Sequence, residues 1–168
     1  GVSQKIGVWD ESYPISLQKI NANEYFIYNE PSDLYNQPLF KLTVNQEKIE
    51  KYQDNFGFNL KASSAGDKIL LSKIDQNNEV KSLLYDVPSK EEVSLNQSLN
   101  HYLSYFDGGK LMVVSNIDNK SYIMVYDSGK ESAKIPFKLN GVYSIAKFAT
   151  DQAVVATKNK LKFINLTE

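Results

Sequence analysis

Apolar residues along this chain come in short runs of four to six, set apart by polar clusters, and the best-defined runs come in pairs. Lys110–Ser115 and Ser121–Tyr126 are two such runs, joined by the polar turn Asn116–Lys120 and preceded by the tight turn Asp107-Gly108-Gly109. The same figure occurs earlier, with Lys68–Ser72 and Lys81–Tyr85 inside the stretch Ser63 to Asp86. Runs of this length, bounded by Asn, Asp and Gly, predict antiparallel hairpins. Aligning Tyr85-Asp86 with Tyr126-Asp127 gives a spacing of 127 − 86 = 41 residues.

The rest of the chain extends the pattern. Ile15 to Ile20 and Glu24 to Tyr28 are strand candidates about the turn Asn21-Ala22-Asn23, and Leu39 to Val44 alternates with a two-residue period. Asn29 to Pro38, with two prolines, reads as a loop. Gln46 to Asp54 places Ile49 and Tyr52 three apart, but that apolar face is too thin for a helix. We read it as a strand-like connection into Phe56–Leu60. Asp86 to Asn96 reads as a linker. Ile135 to Leu139 holds Pro136 and is expected at a sheet edge, and Val142–Phe148, Ala153–Thr157 and Lys160–Leu166 are three more strands.

Two weaker copies complete the repeat. Phe163-Ile164-Asn165 stands in the place of Val125-Tyr126-Asp127, and Asp151–Val155 in that of Gly108–Met112; Asn23–Ile27 aligns with Gly66–Leu70. Units of about 40 residues with several strands each are the pattern of propeller blades, whose sheets bury their faces by stacking on one another. The GDK and GGK turns (Gly66-Asp67-Lys68 and Gly108-Gly109-Lys110) and the hydrophobic-Tyr-Asp strand ending resemble bacterial β-propeller blades related to YncE or TolB repeats. The resemblance covers residues 60–168 best. It departs from the WD family, whose Trp-Asp mark occurs only as Trp9-Asp10. It implies an all-β, propeller-like array of about four antiparallel blades over residues 1–168, with an antiparallel β-sandwich or barrel as the alternative. Four blades fit a piece of a longer chain, a four-bladed ring or an open array. The first residue is Gly rather than Met, so trimming of a longer product is expected.

Composition narrows the chemistry. The net charge is −1, from 19 basic and 20 acidic residues, which lacks the basic field that nucleic-acid binding needs. Every basic residue is Lys, and without Arg there is no bidentate grip on phosphate. Cysteine is absent, which removes disulfides, thiolate metal sites and a Cys nucleophile. A Cys-free domain is compatible with the cytoplasm and equally with an exported or surface protein of a bacterium, and the second is the reading preferred here. No apolar run is long enough to cross a membrane.

Candidate catalytic groups are few. His101 is the only histidine; Ser104 and Asp107 lie near it in sequence, but no nucleophile elbow accompanies them. One His without Cys gives no zinc set. Asp75 to Glu79 spaces oxygen-bearing residues like a calcium loop with Asp86 at the twelfth position, yet Val80 replaces the required Gly, so a hairpin turn is favoured. Asp10, Asp86 and Asp127 end equivalent strands and are the carboxylates a hydrolase would use, whereas repeated turn chemistry explains them as well. No cofactor or metal is expected. Tyr13, Tyr25, Tyr28, Tyr35, Tyr102 and Tyr105 are the candidate binding residues, as a face on which a peptide or sugar stacks. The reading is a non-enzymatic binding or scaffold domain that presents loops to a protein or glycan partner, with a hydrolase as the alternative.

Overall fold

The computed structural model describes residues 15–29, 35–95, 99, 103–118, 120–139 and 141–166. All its regular structure is antiparallel strand, apart from one 3-10 turn at Val44–Gln46. Three strands open the chain: β1 (Ile15–Lys19), β2 (Glu24–Asn29) and β3 (Gln37–Thr43). A long strand β4 (Lys48–Ala62) follows, then β5 (Lys68–Ile74), β6 (Val80–Asp86) and β7 (Glu91–Ser94). A second set comprises β8 (Ser104–Asp107), β9 (Lys110–Ile117), β10 (Lys120–Asp127) and β11 (Lys130–Phe137). The last described strands are β12 (Val142–Ala149), β13 (Gln152–Thr157) and β14 (Leu161–Asn165).

Each strand pairs with its neighbour in sequence. The first half of β4 closes a sheet with β1 to β3, and its second half opens the next with β5 to β7. Four units result, as the repeat anticipates: β1 to β4, β4 to β7, β8 to β11, and β12 to β14. Gly57 marks the place where β4 passes from one sheet to the other, since it pairs with Gln37 while Phe58 pairs with Ser72.

Alternation along the central strands explains the stacking. Successive side chains of a strand point to opposite faces, and here both faces are apolar. Ile69 and Leu71 of β5 face the first unit and pack with Phe26, Tyr28, Leu39 and Phe56. Leu70, between them, faces the third unit and packs with Leu111, Val113, Met124 and Tyr126. Met112 and Val114 of β9 turn the other way, joining Ile145, Ala153, Val155 and Ile164 of the fourth unit. Three apolar interfaces thus hold four sheets in a row. The tyrosine of each Tyr-Asp ending, Tyr85 and Tyr126, is buried against the preceding sheet.

The structure differs from the sequence reading at three places. The linker Asp86 to Asn96 contains β7, a wholly exposed strand held to β6 by backbone pairing. It carries no alternation to read, because neither of its faces is buried. β11 begins at Lys130, well before Ile135, and lies at the edge of its sheet as Pro136 requires. The outer repeats also shift by one residue. The hairpins close with Asp107 opposite Lys110 and with Ala149 opposite Gln152, so Ala153 corresponds to Leu111 rather than Lys110. At the first unit, Lys19 pairs with Tyr25 as Ala62 pairs with Ile69, so Phe26 rather than Ile27 corresponds to Leu70, and both face the unit that follows.

Candidate functional site

Two regions concentrate side chains that packing does not consume. The first runs along the innermost strands of the units, which adjoin one another in order. Lys61 of β4 donates a hydrogen bond to the Ser104 carbonyl of β8, and desolvation by burial holds its ammonium below the ordinary lysine value. Lys147 of β12 pairs with Asp107 of β8. Between them Tyr105 is buried in the third interface; its hydroxyl makes no hydrogen bond among the described residues, and desolvation pushes it up to about 12. These contacts tie adjacent units together and are structural chemistry.

The second region is the far face of the β12–β14 sheet. Residues directly opposite in an antiparallel ladder share a face. Ser144 lies opposite Ala156, Ala146 opposite Val154, Val154 opposite Phe163, and Ala156 opposite Leu161. Phe148 joins them by an edge-to-face contact with Phe163, ring centroids 4.6 Å apart. Phe148 and Phe163 are 60% and 53% exposed, and Leu161 is 70% exposed. None of these seven residues is charged. The opposite face of the same sheet buries Ile145, Ala153, Val155 and Ile164.

Position by position, the free face is a stacking face. Leu70 and Met112 are buried against the unit that follows them. The equal steps 112 − 70 = 42 and 154 − 112 = 42 lead to Val154, on the face that nothing described here covers. At one end of this sheet an open pocket of about 370 Å³ is lined by Leu139, Gly141, Tyr143, Thr157, Lys158, Asn159 and Lys160. Its floor is the turn in which the Thr157 amide donates to the Lys160 carbonyl at 2.8 Å and the Lys160 amide to Thr157 Oγ1 at 3.1 Å. An aromatic ring, two ammonium groups, an amide and a hydroxyl line it.

The four described tyrosines of the six do not form one surface. Tyr13 and Tyr102 lie outside the described residues, as do Asp10 and His101. Tyr28 is buried in the first interface, donating its hydroxyl to the Leu60 carbonyl at 3.1 Å, and Tyr105 is buried in the third. Tyr25 is half-buried on β2, and Tyr35 is exposed ahead of β3. The carboxylates serve turns. Asp75 accepts the Asn77 and Glu79 amides, and Asp86 accepts the Ser89 amide and hydroxyl at 2.9 and 2.8 Å. Asp127 accepts the Ser128 hydroxyl at 3.2 Å and lies 3.8 Å from Lys110. Among the described residues no group of three or more His, Cys, Asp or Glu could hold a metal ion.

Antiparallel meanders of three or four described strands, stacked face to face with their first strands adjoining along one side, are propeller-like blades, and an all-β propeller-like array is the fold of this chain. Two solved structures resemble it. The β-propeller domain of the Trilobed protease from Pyrococcus furiosus, which has an open velcro topology, is similar with a TM-score of 0.59 and 14% identity, over 85% of this chain and 47% of that one. TolB from Acinetobacter baumannii gives a TM-score of 0.48 and 10% identity, over 86% of this chain and 38% of that one. The chain spans about half, or less, of the length of these structures. No family model matches the sequence, and no curated protein matches it.

Proposed function

We propose that this chain is a non-enzymatic β-propeller module that binds a protein partner through the free face of its fourth blade. The observation that carries the reading is the Phe148–Phe163 pair, more than half exposed on an uncharged face built from blade-stacking positions. Exposed aromatic clusters on an apolar face favour protein contact. The carboxylates available to the alternative, a hydrolase, are engaged in turns at Asp86 and Asp127. A bacterial extracytoplasmic setting belongs to the same reading, supported by the absence of cysteine; no described helix is long and apolar enough to cross a membrane.

The test places a photo-crosslinking amino acid at Phe163, and separately at exposed Lys130 as control, in the protein expressed in its own cells. A discrete protein adduct at Phe163 alone, abolished by Phe148→Glu, is the expected result. No adduct, or equal adducts at both positions, would overturn the reading. A glycan is the second reading, favoured by the 62% exposed Tyr143 ring beside the polar pocket. Glycan-array binding lost on Tyr143→Ala would support it.

A further inference from the structure

We infer that the end of the junction between the third and fourth blades, where the β13–β14 turn meets the chain entering β12, docks an acidic peptide segment of another protein. This surface is separate from the Phe148–Phe163 face, and either can bind without the other.

Charge singles out the place. Residues 138 to 166 carry five lysines and one acid, Asp151, a net 5 − 1 = +4 in a chain whose total is −1. Lys147 is paired with Asp107, and Asp151 lies in the β12–β13 turn at the opposite end of the sheet. The other four are Lys138, Lys158, Lys160 and Lys162. Lys158 and Lys160 line the pocket, and the Lys162 ammonium donates to the Lys138 carbonyl at 3.3 Å, tying β14 to the chain that leaves the third blade. Among the described residues none of the four is paired with a carboxylate. Lysines elsewhere hold counter-charges: Lys41 contacts Glu24 and Glu50, and Lys81 contacts Asp75 and Glu79.

The site belongs to the junction and not to the open sheet face. Val142 stands opposite Thr157, and Lys162 opposite Val155. These positions share the side of the sheet that packs on the third blade, where Leu139 and Val142 rest against the buried cluster. A cleft lined by one sign of charge draws in ligands of the other.

The form of the site selects the ligand. The pocket is open, so a small anion would stay largely in water and make one exposed ion pair, which changes affinity by only about 1.4- to 5-fold. Four ammonium groups around one opening suit a chain that brings several carboxylates at once. Asn159 presents a side-chain donor and acceptor together, as a peptide group requires, and the 62% exposed Tyr143 ring offers an apolar surface between the charges. The chain has no Arg, so nothing here grips phosphate bidentately in preference to carboxylate.

Fluorescence anisotropy on the purified chain provides the test, with a ten-residue peptide of alternating Glu and Ser carrying an uncharged dye. Binding should saturate at low salt and vanish at ~1 M salt, where the screening length is about 3 Å. Lys158→Gln with Lys160→Gln should weaken it by roughly 2- to 30-fold. Lys120→Gln with Lys130→Gln removes the same charge from exposed positions of the third blade and should leave it unchanged; circular dichroism checks that both double variants fold. No saturable binding up to ~1 mM peptide overturns the inference. So do equal losses in the two double variants, equal binding of an alternating Lys-Ser peptide, or binding that survives high salt. An oligogalacturonate of equal charge that displaces the labelled peptide better than unlabelled peptide does would overturn the peptide assignment in favour of an anionic glycan.

Discussion

Gly57 is where one strand serves two blades, and replacing it with alanine is the sharpest test of that arrangement. Its φ is +148°, a backbone conformation that side chains with a Cβ rarely adopt. A Cβ built there would stand 2.4 Å from the Ser72 carbonyl oxygen and 2.6 Å from Leu71 Cδ1. Both neighbours belong to β5, whose faces are buried on both sides, so the sheet has little room to yield. The strained backbone costs about 1–3 kcal/mol, and overpacking against a central strand adds about 1–3 kcal/mol. The sum, roughly 2–6 kcal/mol, is a large part of the ~5–15 kcal/mol that holds a domain folded. At about 2–4 °C per kcal/mol for a chain of this size, the melting temperature should fall by roughly 4–24 °C. Thermal melts followed by far-ultraviolet circular dichroism measure this directly. Gly108→Ala is the control, because Gly108 also has a positive φ, +54°, but a Cβ there meets nothing within 4 Å. Gly108→Ala should cost only the backbone part. If Gly57→Ala melts within a degree or two of Gly108→Ala, crowding at the crossover is not what the geometry says, and the account of β4 fails.

Other consequences follow from the interfaces and turns. Leu70→Ala empties a fully buried site between the second and third blades and should cost about 2–5 kcal/mol in urea unfolding; a loss under about 1 kcal/mol would mean that the two blades do not pack as described. Tyr105→Phe removes a buried hydroxyl that makes no hydrogen bond among the described residues, so it should be neutral or stabilising, and a clear drop in melting temperature would contradict that placement. Acid should destabilise the fold. The Lys81 ammonium and the Glu79 amide hold the Asp75 carboxyl below its ordinary value, the Ser89 amide and hydroxyl do so for Asp86, and the Lys48 ammonium for Glu50. A carboxyl lowered on folding contributes stability above its unfolded pKa and loses it as pH falls through the folded value. The melting temperature should therefore drop below about pH 4, and an Asp75→Asn, Asp86→Asn double variant should show a smaller drop; an equal drop would assign the acid sensitivity elsewhere.

How far the sequence announces this structure depends on whether a strand's burial is decided locally. KILLSKI and KLMVVSNI carry apolar residues on both faces, which only a sheet covered on both sides can bury, and the 41-residue repeat turns that into stacked blades. The turns of Asp75 and Asp86 were likewise legible, because an Asx side chain bonds amides a few residues away. β7 was not, since a four-residue strand exposed throughout owes its existence to the backbone of β6. The tyrosine list failed to describe one surface for a related reason. Residue type does not tell a ring buried between blades, as at Tyr28 or Tyr105, from one open to solvent, as at Tyr143.

The fourth blade shows the limit most clearly. In LKFIN the two-residue period alone favours burying Leu161 and Phe163, the larger pair, yet the structure buries Ile164 and leaves those two in solvent. The strand has two usable apolar faces, and the third blade can cover only one. Equivalence with the third blade decides which: Phe163 stands opposite Val154 as Val125 stands opposite Met112, so Ile164 takes the inward place of Tyr126, as the repeat alignment has it. The exposed pair is therefore no failure of hydrophobic burial. It is the second apolar face of a two-faced strand, which nothing among the described residues covers.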